Sequence, residues 1–137
     1  MKHIKLVRKI CKEYNIKLKD LALYKDPSKF GDGNNYNTSW IIGHNEIWLG
    51  IYDDNRFKFI SFFHEMGHTL LEYSYHKKTK YNTLMAELKA WDLGINFALN
   101  RGIIFEDDVL EWGYKRALTY VGHDKREYRT PIKERKL

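Results

Sequence analysis

The sequence predicts one α+β domain: an N-terminal helix, a small, mostly antiparallel sheet, and two or three helices after it. Three observations predict it. Apolar residues recur at spacings of three and four in residues 4–14 and again beyond residue 57, the period of an amphipathic helix. Between those stretches, two short runs rich in Trp, Ile and Tyr flank a glycine-containing turn. The length of 137 residues, 43% hydrophobic and 15% aromatic with two prolines, suffices for one packed core and excludes a disordered or low-complexity chain.

Taken in order, Ile4, Val7, Ile10, Cys11 and Tyr14 line one face of the first helix, with lysines and arginines between them. The apolar run Leu21-Ala22-Leu23-Tyr24 is read as a strand. The stretch through Pro27 and Gly31-Asp32-Gly33-Asn34-Asn35 is rich in turn residues and is read as a loop. Ser39 to Ile42 and Glu46 to Tyr52 form a predicted β-hairpin across Gly43-His44-Asn45. Asp53-Asp54-Asn55 offers an N-cap, and a helix is expected from about Phe57 to Tyr75 with Phe59, Phe63, Met66, Leu70 and Tyr73 as its apolar stripe. Leu84, Leu88, Trp91, Ile95 and Ala98 mark the next helix, which stops at Asn100-Arg101-Gly102. Glu106-Asp107-Asp108 suits the start of a last helix, on which Val109, Trp112, Arg116 and Tyr120 share a face. Residues 1–123 are read as the domain and residues 124–137 as a basic C-terminal tail.

The net charge of +6 is uneven: residues 1–19 carry +6, residues 124–137 carry +3 and the middle carries −3. Basic ends on a mildly acidic body can attract nucleic acid or an acidic partner, but with no base-reading motif beside them they read first as a solvated helix face and a lysine-rich tail. A single cysteine, Cys11, excludes an internal disulfide framework and fits a reducing compartment. No apolar run approaches the roughly 18 residues of a membrane span, and the N-terminus lacks the features of a secretion signal. A cytoplasmic location is the expectation.

The chemistry is carried by His64-Glu65-Met66-Gly67-His68, an H-E-x-x-H sequence inside a predicted helix. In a chain of this composition it arises by chance about 0.02 times. On a helix the two histidines stand about 40° apart and about 6 Å along the axis, so both imidazoles reach one metal ion. Glu65 lies roughly 60° from His68, placed to act as general base on a zinc-bound water without being a ligand. A catalytic zinc takes a third protein ligand and keeps one open position. Glu87 shares a face with Leu84, Leu88 and Trp91, where a lone carboxylate would be costly to bury and a metal would compensate it. Asp92 is the second choice for that ligand. Glu72 suits a role in orienting an imidazole.

These residues resemble those of the ImmA/IrrE-type zinc metallopeptidases, a gluzincin-like group. The likeness spans roughly residues 1–105. It rests on the N-terminal helix, the short sheet ending in Glu46-Ile47-Trp48-Leu49-Gly50-Ile51-Tyr52, the stretch Phe62-Phe63-His64-Glu65-Met66-Gly67-His68-Thr69-Leu70-Leu71, and Glu87-Leu88-Lys89-Ala90 followed by Asn96-Phe97-Ala98. The resemblance implies a zincin-like fold, Zn2+ held by His64, His68 and Glu87, and Glu65 as the catalytic residue. It also implies a soluble peptidase that cuts a protein partner, a transcriptional repressor, on behalf of a bacterial host or a phage or other mobile element.

Tyr114, Tyr120 and His123 are candidate donors to the oxygen that gains charge during hydrolysis. His3, His44 and His76 read as surface residues, and Cys11 as a small buried hydrophobe. No phosphate-binding G-x-x-x-x-G-K-[ST] loop is present. Two other functions compete with a peptidase: a zincin-fold module that binds protein or DNA without cutting, and a zinc-stabilised structural protein. The open coordination position argues against the latter, because structural zinc sites are usually closed and rich in cysteine.

Overall fold

The helix Asn55–Leu70 runs through the middle of the molecule and is buried on nearly every side. The computed structural model describes residues 3–23, 39–41, 45–71 and 80–117. Within them the order is α1 (Ile4–Glu13), β1 (Lys17–Asp20), a 3₁₀ turn at Leu21–Leu23, β2 (Ser39–Ile41), β3 (Glu46–Leu49), α2 (Asn55–Leu70), α3 (Lys80–Asn100) and α4 (Asp107–Ala117). The fold class is α+β, as the periodicities predict.

The sheet corrects the expectation of a mostly antiparallel arrangement. Its strand order is β1-β3-β2. β2 and β3 form the predicted antiparallel hairpin, with Trp40 opposite Ile47, but β1 runs parallel to β3, from Lys17 opposite Glu46 to Asp20 opposite Leu49. Asn45 accounts for the parallel pair. Its carbonyl accepts from the Lys17 N–H at 3.0 Å, and its Nδ2 donates to the carbonyls of Tyr14 at 3.2 Å and Asn15 at 2.7 Å. The two strands are thus fastened side by side at their starts, so they run the same way. Asn15 and Asn45 both take the left-handed backbone conformation, which asparagine tolerates better than most residues.

The strand itself is also displaced from its expected place. It is formed by Lys17-Leu18-Lys19-Asp20, whereas the apolar Leu21–Leu23 curls into the 3₁₀ turn with Leu21 buried. Charged residues are accepted in β1 because distant partners meet them. Lys19 Nζ lies 3.2 Å from Glu46, and Asp20 accepts from Lys58 Nζ of α2 at 2.8 Å in a largely buried pair.

Helix ends follow local chemistry. α1 closes with Asn15 in the left-handed position, where the Ile16 N–H reaches the Cys11 carbonyl and the Asn15 N–H the Lys12 carbonyl. α3 closes the same way on Gly102 (φ 80°), with the Ile103 N–H on the Ala98 carbonyl and the Gly102 N–H on the Leu99 carbonyl. Asp54 caps α2 by accepting from the Arg56 N–H at 2.9 Å. Arg56 also reaches Glu106 and Asp108 at the start of α4, joining the two helix beginnings.

α2 separates two apolar cores. Phe59, Phe62, Phe63 and Met66 face Val7, Ile10 and Cys11 of α1 and Ile47 and Leu49 of β3. Ile60 faces Leu84, Leu88, Trp91 and Ile95 of α3 and Val109, Leu110 and Tyr114 of α4. The single expected stripe on α2 is therefore one of two buried faces. On α4 the inward face differs from the expected one: Leu110, Gly113, Tyr114 and Ala117 are buried with Val109. Trp112 and Arg116 lie half-exposed, with the guanidinium 4.9 Å from the indole centroid. Among the described residues, no helix is long and apolar enough to cross a membrane. The loop around Gly31-Asp32-Gly33 and the tail 124–137 lie outside the described residues.

Candidate metal centre

The H-E-x-x-H stretch occupies the last two turns of α2, where helical spacing puts His64 and His68 one above the other. Their ring centroids are 4.7 Å apart. α3 is brought against this surface by two glycines. A Cβ at Gly67 would stand 1.7 Å from the Ala90 carbonyl oxygen, and a Cβ at Gly94 would stand 1.9 Å from the Phe63 carbonyl oxygen. The backbones of α2 and α3 therefore touch where the histidines are, and they run antiparallel, since residue 67 meets 90 while residue 63 meets 94.

This close crossing delivers Glu87 to both histidines. One carboxylate oxygen, Oε2, lies 2.7 Å from His64 Nε2 and 3.1 Å from His68 Nε2. Glu65 also belongs to the cluster, with Oε1 3.8 Å from His64 Nε2. Donor atoms of His64, Glu65 and His68 lie within 4.8 Å of one another. Asp92, the other acid considered on α3, is five positions beyond Glu87, about 140° around the helix and on a different face.

The environment is nearly dry: Glu65, Glu87 and His68 are 8%, 8% and 4% exposed. Burial on its own would raise the Glu87 carboxyl, but hydrogen bonds and charge from His64 and His68 outweigh it and hold the group at about 2. Burial likewise opposes the charged form of His68, and the contacts with Glu87 and Glu65 overcome it, so its pKa rises above the ordinary histidine value. The His64 ring stacks on Trp91 of α3, with centroids 4.3 Å apart and planes 20° apart.

A donor set of two imidazoles and one or two carboxylates suits zinc. Donors on a common tetrahedral ion stand about 3.3 Å apart, as follows from metal–ligand bonds of about 2.0–2.2 Å. The distances of 2.7 and 3.1 Å would need to open by about 0.6 and about 0.2 Å. The residues present therefore fit such an ion.

The remaining candidates are placed differently. Tyr114 is buried in the second core, 6.2 Å from Trp91 between ring centroids, and burial pushes its hydroxyl up to about 12. Glu72, His44, His76, Tyr120 and His123 lie outside the described residues. His3 is exposed and stacks on Phe59, and Cys11 is buried, as expected. Sequence reasoning placed Trp91 and Ala90 near Glu87 but gave Gly67 and Gly94 no part. Their signal was present: glycine inside an apolar helix costs about 1 kcal/mol against alanine, so two of them in facing helices point to a close approach.

No protein-family model, no curated protein and no solved structure matches this chain.

Proposed function

We propose that the protein is a zinc-dependent peptidase with a zincin-like active site. The observation that supports this best is the convergence of His64 Nε2 and His68 Nε2 on a single oxygen of Glu87 at 2.7 and 3.1 Å. Three donor atoms from two helices gather in one place, with a second carboxylate beside them. His64, His68 and Glu87 would hold the ion, since Glu87 touches both imidazoles while Glu65 stands farther off. Bound there, zinc would supply Lewis acidity and would lower the pKa of the attacking water to about 7.

The chain's own groups do the rest. Glu65 takes a proton from the attacking water and returns it to the leaving amine. Its position one residue after His64 keeps it beside the site, and its burial strengthens its interaction with charge developing there. Glu87 would offset one of the two positive charges of the ion, and the Glu65 carboxylate beside it the other. The substrate is a protein partner, and the resemblance to ImmA/IrrE-type peptidases points to a DNA-binding repressor.

The test is cleavage by wild type and Glu65→Gln, each assayed on a mixture of unstructured peptides, with metal content measured in parallel. The variant should keep its zinc and lose roughly 10²- to 10⁴-fold in rate, the usual contribution of a general base. A Glu65→Gln protein that cleaves like wild type would refute this role.

A non-catalytic binding module is the second reading. It is favoured by the exposed face of α1, where Lys5, Arg8, Lys9 and Lys12 project along about two turns. Salt-dependent retention of duplex DNA by wild type and Glu65→Gln alike, with no cleavage by either, would select it.

A further inference from the structure

We propose that Trp91 sets the orientation of the His64 imidazole, in place of the hydrogen-bond acceptor that usually turns a metal-binding histidine. This rests on the reading of His64, His68 and Glu87 as a metal site. A histidine that binds a metal through Nε2 almost always donates its Nδ1–H to a carboxylate, a carbonyl or water, and that bond fixes both the tautomer and the ring plane. His64 Nδ1 is buried and has no hydrogen-bond partner among the described residues. Rotation about the bond to an aromatic ring is soft, so a ring without such a bond needs another constraint.

The indole of Trp91 supplies it. The two rings are stacked, 4.3 Å between centroids and 20° between planes. Trp91 lies one turn beyond Glu87 on α3, so one helix presents both a carboxylate and the surface against which the imidazole rests. The electron-rich indole face suits an imidazole whose Nε2 gives electron density to a cation and which becomes partly positive in doing so.

Trp91 is itself held in place. It is 3% exposed, and Gly113 of α4 lies beneath its six-membered ring. A Cβ at 113 would stand 2.6 Å from Cζ3 and 2.7 Å from Cη2. α4, none of whose described side chains is within the metal cluster, is thereby connected to the site through Gly113, Trp91 and His64.

Metal-free wild type, Trp91→Phe, Trp91→Leu and Trp91→Met would each be titrated with Co2+, following the visible absorption band. In the same metal-free proteins, the ring protons of His64, assigned by their absence in His64→Asn, would be followed by NMR. Wild type should bind Co2+ with a tetrahedral band and show His64 ring protons moved upfield by the indole. Trp91→Leu and Trp91→Met should lose that upfield shift and bind Co2+ about 10- to 100-fold more weakly, the usual cost of losing a group that orients a ligand. Trp91→Phe keeps an aromatic face and should recover most of the affinity and the band shape. A merely structural role would weaken all three variants alike, without this rescue.

Equal affinity and an unchanged band in folded Trp91→Leu or Trp91→Met would overturn the proposal while leaving the metal site standing. A wild type that takes up no Co2+ would overturn the metal site and this role of Trp91 together. The unsubstituted protein thus separates the two failures. Trp91→Met, unbranched and flexible, fits an irregular gap better than leucine and carries the test if Trp91→Leu does not fold.

Discussion

Gly67 of α2 meets Ala90 of α3 so closely that a Cβ at 67 would stand 1.7 Å from the Ala90 carbonyl oxygen. The obstacle is backbone, which cannot swing away as the end of a flexible side chain can. Gly67→Ala should therefore separate the helices and draw Glu87 away from His64 and His68. The expected loss is about 3 kcal/mol, the upper part of the range for overpacking, with reduced metal affinity. Urea unfolding and zinc content of the variant check this. Wild-type values for both would show that the helices do not approach as described.

Lys58 and Asp20 form the tie between α2 and β1, at 2.8 Å with side chains 7% and 12% exposed. Removing one member leaves the other buried without its partner. Lys58→Ala should cost about 3–5 kcal/mol, whereas the double change Lys58→Met with Asp20→Leu should recover part of the loss. Denaturant midpoints of the single and double variants decide it. A single variant within about 0.5 kcal/mol of wild type, the range of ordinary surface substitutions, would mean the pair carries no weight.

Burial pushes the Cys11 thiol up to about 12. The thiolate is the reactive form, so the native protein should be inert to Ellman's reagent at neutral pH and react fully once unfolded. Rapid reaction of the native protein would contradict the packing of α1 on the first core.

The cluster should also show in the pH dependence of stability. In the metal-free protein Glu87 is held at about 2, down from an ordinary 4.5, so its contribution is complete above 4.5 and is lost as pH falls toward 2. His68 is raised above 6.5, so its contribution is complete below 6.5 and is lost as pH rises through its folded value. Zinc needs a neutral imidazole at His68, so its stabilising effect should instead grow as pH rises above 6.5 through the raised His68 value. Thermal melts with and without zinc, at a pH below 6.5 and at one well above it, test this. A zinc-induced shift in Tm that does not change with pH would contradict it.

Much of this was legible in the sequence wherever the cause is local. The stop at Gly102, the cap at Asp54, the hairpin β2–β3 and the H-E-x-x-H stretch depend on neighbours within a turn or two. What escaped depends on residues far apart. Lys17–Asp20 looks too polar for a strand until Glu46 and Lys58 are placed beside it. The parallel direction of β1 depends on Asn45 reaching back to Tyr14 and Asn15. On α4 the spacing of Val109, Trp112 and Arg116 suggested one face, but the fit of Gly113 under Trp91 turns a neighbouring face inward. At the site, the residue types singled out His64, His68 and Glu87, which the fold brings together. The two glycines that bring Glu87 to them become meaningful only when both helices are seen together.

The central claim is that His64, His68 and Glu87 hold one metal ion, and metal content tests it most directly. Untagged wild type and Glu87→Ala, purified side by side and equilibrated with zinc at neutral pH, would be compared by mass spectrometry of the eluted metal. One zinc per chain in wild type, lost or much weakened in Glu87→Ala, is the predicted result. No zinc in wild type, or one zinc in both proteins, would contradict the three-ligand site.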